Sequence, residues 1–396
     1  MQYTKTTIEI IPSHLYWISD KNAPTKAKIH IICTDDSLTY VPYNTDFGPL
    51  DISQIVTYCK NLNSLLSGPN RQKLPIYHYT SVVPAKRANS ALLVCAYQVL
   101  VLKKSPNEAW EPFEQASRFL PFRDASAQPN RFELLIIDCL NAISKALSYN
   151  WLDIDSFDVD EYQKCSLPKN GSFNWIVPEK IIAFPCPSDK LAHGLIVEEF
   201  CRLFECCGVT AVVRIYQPTY DGVRFKKQGI RHFDLEEAGD SLPNEDSIQN
   251  FIEICRREKV VAVHCLNGLG KSVTLIGCYT IKHYNLTGKE FIAWARMCRP
   301  GCILGKQQQF LCNFYENLSN IRRNSRPNSM IKMEFEKHLS PDITTRKYSI
   351  SVANGYNSVK GMRQPVKYKT RFNQLVKIDP EMMKLYGKKQ SEEDVS

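Results

Sequence analysis

The sequence predicts an α/β fold: two tandem strand–loop–helix domains, joined by a linker helix and followed by a disordered basic C-terminal tail. Three observations predict it. An apolar strand that runs through a loop into a long apolar helix occurs twice. A polar, acidic stretch separates the two copies. After residue 322 the composition turns to Ser, Asn, Arg and Lys with little periodicity.

The elements follow in chain order. Residues 28–34, KIHIICT, read as a strand, as do residues 74–78, LPIYH. The loop HYTSVVPAKRAN leads from the second of these to SALLVCAYQVLVLKK, whose apolar pattern reads as a buried helix. The second copy repeats the order. KVVAVH at 259–264 is a strand, CLNGLGKSV a tight Gly-rich loop and TLIGCYTIKHYNL a buried helix. Each helix has a Lys-rich end, after which Ser105 or Thr287 starts another helix, SPNEAW or TGKEFIAW. This matching order reads as a duplication. The expected domains are 1–150 and 176–322. A linker at 151–175 has a helical start, and the tail covers 323–396.

Composition bounds the function. The 396 residues are 43% hydrophobic, enough for two cores. Fifteen cysteines are scattered without CxxC pairs or zinc-ligand spacing. That odd count, with a polar N-terminus lacking a leader pattern, predicts a reducing compartment, cytosolic or nuclear. No run of 18 apolar residues occurs, so no membrane span is expected. The net charge of +9 sits mostly in the tail, where 16 basic residues face 8 acidic ones from Arg322 to Ser396. Such a tail reads as a solvated extension, or as an anchor for nucleic acid or acidic proteins.

The chemistry concentrates in His264-Cys265-Leu266-Asn267-Gly268-Leu269-Gly270-Lys271-Ser272. A phosphate monoester is a dianion. A strand-to-helix turn aims successive N–H groups at one point, at a helix N-terminus, where an anion is favoured. Gly268 and Gly270 let the backbone come close. The same field lowers the pKa of Cys265 and makes it a thiolate nucleophile. Ser272 can donate a hydrogen bond to the sulfur, and His264 braces the loop. A strand that ends in cysteine can also be an inert buried thiol; the glycines and the Lys-Ser pair point to the phosphate loop instead.

From these residues outward the sequence resembles the mitotic-exit dual-specificity protein phosphatases (cell division cycle fourteen), over roughly residues 10–320. The resemblance is carried by TDFGPLD at 45–51, HYT and KRAN within 78–89, LPFRDAS at 120–126, FDVDEY at 157–162, NWIVP at 174–178, VTAVVR at 209–214 and AWARMCRPG…GKQQQFL at 293–311. It implies two tandem dual-specificity-phosphatase-like domains, of which only the second holds the nucleophile. It implies removal of phosphate from phosphoserine before proline, a phosphoprotein substrate or ligand, self-association and no cofactor. The localisation it implies is nucleus and cytoplasm, with nucleolus, spindle or centrosome among the sites. Cys265 matches the nucleophile, Leu266 to Lys271 the phosphate cradle, and Ser272 the loop-end hydroxyl, normally Thr. Gln307 and Gln308 match the glutamines that position water for the second step.

The sequence departs from the family pattern at several places. The loop arginine is Lys271, which keeps the charge and loses the planar fork. The general-acid aspartate's column holds Gly239, and Asp240 stands one residue later, with Glu236 and Glu237 as weaker candidates. The acidic groove positions fall on Gln163, Ser166 and Ser172, with Lys164 and Lys169 beside them. Leu266-Asn267 replaces Lys-Ala, and Val273 replaces a glycine. These changes imply a divergent phosphatase of impaired activity, or alternatively a catalytically dead pseudophosphatase that binds phosphoproteins or acts as a scaffold. A lipid phosphatase is the weaker expectation, because those loops are rich in lysine and this one holds only Lys271.

Overall fold

The computed structural model describes residues 6–25, 28–68, 74–116, 118–127, 131–188, 194–235 and 242–324. Met1–Glu316 forms one compact unit and Asn317–Ser396 a second, of which the described part is the end of one helix. The predicted tail therefore lies outside the described residues beyond 324.

Within the first unit, strands β1 (Thr6–Ile11), β2 (Leu15–Ser19), β3 (His30–Cys33) and β4 (Ile76–Thr80) form a sheet in the order β1-β2-β4-β3. Helices α1 (Ile52–Ser67), α2 (Pro84–Leu100), α3 (Pro106–Ala116) and α4 (Ile136–Ser148) belong to this half. Helix α5 (Val159–Ser166) follows. The second half holds β5 (Asn174–Val177), β6 (Ile181–Phe184), α6 (Val197–Cys207), β7 (Ala211–Arg214), α7 (Val223–Lys227), β8 (Arg231–Asp234), α8 (Glu245–Arg257) and β9 (Val261–His264). Helices α9 (Lys271–Tyr284) and α10 (Gly288–Cys298), and α11 (Lys306–Asn324) as far as Glu316, complete it.

The second sheet runs β5-β6-β9-β7-β8. In each sheet the first pair is antiparallel and the other pairs are parallel. The order β1-β2-β4-β3 thus maps onto β5-β6-β9-β7, strand for strand and direction for direction, and β8 is an addition. Strands β6, β7 and β9 are buried at every residue. That is why IIAF and VAVH read as continuous apolar runs rather than alternating ones.

The structure corrects three sequence expectations. Helix α2 begins at Pro84, so PAKRA is its first turn rather than loop. Proline suits this position because its fixed φ is helical and its missing N–H has no partner there anyway. The 151–175 segment does not start as a helix. Its helix begins at Val159, where the Asp158 carboxylate accepts from the Glu161 N–H at 3.0 Å. Its last residues, from Asn174, are already strand β5 of the second sheet.

Polar ties join the two halves. The Tyr162 hydroxyl on α5 donates to the Cys298 carbonyl at 2.9 Å, and Lys60 donates to the Phe157 carbonyl at 3.1 Å. Asp124, from the first half, accepts from the Gly305 N–H in the second at 2.6 Å.

Candidate active site

Strand β9 is the middle strand of its sheet and delivers Cys265 to its carboxyl end, where open α/β sheets bind ligands. The next turn ends in α9, so the loop 265–270 faces a helix N-terminus.

Every carbonyl of this loop finds a donor on its outer side. Cys265 O faces His264 Nδ1 at 3.1 Å, and Leu266 O accepts from the Cys186 N–H at 2.9 Å. Asn267 O and Gly268 O accept from Arg299 at 3.2 and 2.8 Å. Leu269 O accepts from the Ile303 N–H at 2.9 Å, and Gly270 O from the Thr274 N–H at 2.9 Å. With the carbonyls held outward, the N–H groups are free to point inward, which is the requirement for an anion cradle. Gly268 is needed for this shape. Its φ is +66°, and a Cβ there would lie 2.1 Å from the Phe184 carbonyl oxygen.

The electrostatics follow from this geometry. Burial pushes the Cys265 thiol up. The Ser272 hydroxyl, with its oxygen 3.4 Å from the sulfur, and the N–H groups of Ser272, Gly270 and Gly268 outweigh that, so the pKa falls below the 9.0 of an ordinary thiol. Burial instead raises the thiols of Cys59, Cys95 and Cys139, and also that of the exposed Cys33. Iodoacetamide at neutral pH is therefore expected to label Cys265 before Cys33. The rate should rise with pH to a midpoint below 9.0. Peptide mass spectrometry across a pH series checks this, and a Cys265 midpoint at or above 9.0 contradicts it.

His264 is fully buried, and burial pushes its pKa down to about 3, so it is neutral. Because Nδ1 faces a carbonyl, it carries the proton, and Nε2 accepts from the Tyr220 hydroxyl at 2.7 Å. The Tyr220 oxygen in turn lies 3.0 Å from His232 Nε2, which then donates. His264 is a brace with a fixed tautomer rather than a proton donor to substrate.

The structure brings together Cys265, the cradle Leu266 to Gly270, Lys271, Ser272 and Gln307. Lys271 is the first residue of α9 and is only 9% exposed. The Gln307 side-chain oxygen accepts from the Leu304 N–H at 2.9 Å, and its amide nitrogen would be 2.9 Å from a Cβ on Gly270. It therefore faces the loop. Gln308 differs: it is fully buried, and its amide is occupied by Arg296 at 2.8 Å and Asp124 at 3.2 Å. Asp240, with Gly239, Glu236 and Glu237, lies outside the described residues.

Sequence reasoning missed Arg299. It is buried, and besides its two loop carbonyls it donates to Ser172 O and Asn174 Oδ1, each at 2.6 Å. The one available signal was an arginine directly after the apolar helix AWARMC. Through Arg299, Ser172 of the linker is tied to the phosphate loop. Gln163 is exposed on α5. The Ser166 hydroxyl donates to Tyr162 O at 2.9 Å and accepts from Asn174 at 2.8 Å. A cavity of about 910 Å³ lies elsewhere, among Asp138, Lys289, Gly305 and Gln309.

Comparison with known proteins adds the rest. A family model, dual specificity protein phosphatase, N-terminal half, matches residues 9–146. The chain is 41% identical over 312 residues to human dual specificity protein phosphatase CDC14A, an alignment covering 76% of this chain and 52% of that protein. Against mouse CDC14B it is 36% identical over 324 residues, covering 78% of this chain and 67% of the relative. The tyrosine-protein phosphatase CDC14 homolog of Schizosaccharomyces pombe is 34% identical over 327 residues, covering 77% and 60%. The chain spans about half the length of the first of these. Similarity that runs through both halves of a duplicated fold, only the second of which ends its central strand in a cysteine loop, has one reading: the chain belongs to the CDC14 family of dual-specificity phosphatases.

Proposed function

We propose that this chain is a protein phosphatase of the mitotic-exit type that acts on phosphoserine, phosphothreonine and phosphotyrosine through a cysteinyl-phosphate, with reduced turnover. The observation that carries the reading is the lowered Cys265 thiol beneath a loop whose carbonyls are all held outward. In the first step the thiolate attacks phosphorus. The P–O bond to the side chain breaks, and the leaving oxygen takes a proton from a carboxylic acid, for which Asp240 is the candidate. In the second, a water held by Gln307 attacks phosphorus. The P–S bond breaks with its electron pair returning to Cys265, the water's proton goes to that carboxylate, and inorganic phosphate leaves.

Two features support reduced turnover. Lys271 supplies a point charge where a planar fork would hold two equatorial oxygens. The sequence also sets its acid-loop aspartate one residue late, a shift of about 3 Å along the chain. Substrate choice is expected to change as well. With Gln163, Ser166 and Ser172 neutral and Lys164 and Lys169 beside them, a basic residue after phosphoserine-proline loses its attraction.

The test is hydrolysis of para-nitrophenyl phosphate and of phosphoserine-proline peptides with lysine or alanine downstream, by wild type and Cys265→Ser. Cysteine-dependent turnover with no preference for lysine is expected. Phosphopeptide binding by both proteins with turnover by neither replaces this reading by the pseudophosphatase one.

A further inference from the structure

The half of the chain that lacks a nucleophile nevertheless places one carboxylate against the reacting half. Asp124 is 3% exposed and lies in the segment between α3 and α4. One of its oxygens accepts from the Gly305 N–H at 2.6 Å and from Gln308 Nε2 at 3.2 Å. Ser126 steadies the carboxylate, its hydroxyl 2.9 Å from both oxygens.

The segment held this way is unusual backbone. Gly301, Ile303 and Gly305 all have positive φ, +79°, +61° and +50°. For a β-branched residue such as Ile303 that conformation is strained, and it persists only when its surroundings enforce it. Two side chains enforce it here. Arg296, itself buried, donates to Cys302 O at 3.2 Å, Ile303 O at 2.9 Å and the Gln308 amide oxygen at 2.8 Å. Asp124 takes the other end of that amide and the N–H of Gly305. The buried cation and the buried carboxylate thus clamp the segment from two sides, with Gln308 between them.

What the segment carries is chemistry. The Ile303 N–H holds the loop carbonyl of Leu269, and the Leu304 N–H fixes the amide of Gln307 so that its nitrogen faces Gly270. We propose that Asp124 is a positioning residue for the second chemical step: resting on the phosphatase reading above, it holds the 302–308 segment in the shape that turns Gln307 toward the phosphate loop. The nucleophile and the cradle other than Leu269 are held by β9, α9 and Arg299, whereas the bonds of Asp124 described above go to Gly305 and Gln308. Its loss therefore falls on hydrolysis of the cysteinyl-phosphate rather than on its formation.

Rapid-mixing kinetics with para-nitrophenyl phosphate separates the two steps, since this leaving group departs without needing a proton. The 396-residue wild type, Asp124→Asn, Gln307→Ala and the double variant are compared. Asp124→Asn is expected to keep the initial burst of nitrophenolate and to lose about 10-fold or more in the steady state. Intact-mass spectra should show its phosphoenzyme accumulating. The double variant should turn over no more slowly than Gln307→Ala alone, because both act through one amide. If Asp124→Asn fails to fold, Ser126→Ala loosens the same carboxylate, with about 3-fold slower steady state and the burst intact. Burst and steady state falling together, losses that multiply in the double variant, or an unchanged steady state would overturn the proposal. A wild type without any cysteine-dependent release of nitrophenolate sinks the phosphatase reading itself, which none of those other outcomes does.

Discussion

Lys271→Arg is expected to raise kcat on phosphopeptides by about 10²-fold. Lys271 sits at the first position of α9, beside Ser272, whose hydroxyl is 3.4 Å from the Cys265 sulfur. It is buried at 9% exposure, so a cation there acts within the site rather than in bulk solvent. A lysine provides that charge. A guanidinium adds two parallel N–H donors in a fixed plane, matched to two equatorial oxygens as the phosphoryl group flattens. Such contacts strengthen in the transition state, so the gain belongs in kcat more than in KM. Steady-state kinetics on the single variant checks this. An unchanged kcat contradicts it. A rise that also requires Gly239→Asp with Asp240→Gly moves the main lesion to the acid loop.

Gly268→Ala is expected to act in the opposite direction, with turnover down by about 10²-fold or more and the fold weakened by about 2–4 kcal/mol. The residue is left-handed, with φ +66°, and its missing side chain faces the Phe184 carbonyl oxygen. A methyl group would meet that oxygen at 2.1 Å, a distance no Cβ tolerates. Either β6 or the loop must move. Moving the loop would break the Arg299 bond to Gly268 O and turn N–H groups away from the phosphate. Thermal unfolding together with para-nitrophenyl phosphate hydrolysis measures both effects, and an alanine variant of wild-type activity contradicts the geometry.

These two positions show what could be read from the chain alone. The loop was legible because its requirements are local. A fully buried strand, two glycines and a Lys-Ser pair stand within a dozen residues, and each has a physical reason to be there. Helix α2 was legible in its apolar middle but not at its start, since Pro84 and two basic residues look like loop until proline is placed at the first helical position. Arg299 and Asp124 were not legible as site residues. Arg299 acts on carbonyls of Asn267 and Gly268, 32 and 31 residues away in the same half, and Asp124 on Gly305 and Gln308 across the join between the halves. Nothing in a local window marks such partners; only the fold brings them together. The two adjacent glutamines illustrate the same limit. Side by side in sequence, Gln307 faces the loop while Gln308 is locked between Arg296 and Asp124.

The central claim is that Cys265 takes the phosphoryl group. Acid-quenching the protein during turnover of a radiolabelled phosphoserine-proline peptide, followed by digestion, tests it most directly. The account predicts label on the peptide that contains Cys265 and none in Cys265→Ser. Peptide hydrolysis that persists in Cys265→Ser, or turnover by wild type with no label ever reaching Cys265, would contradict it.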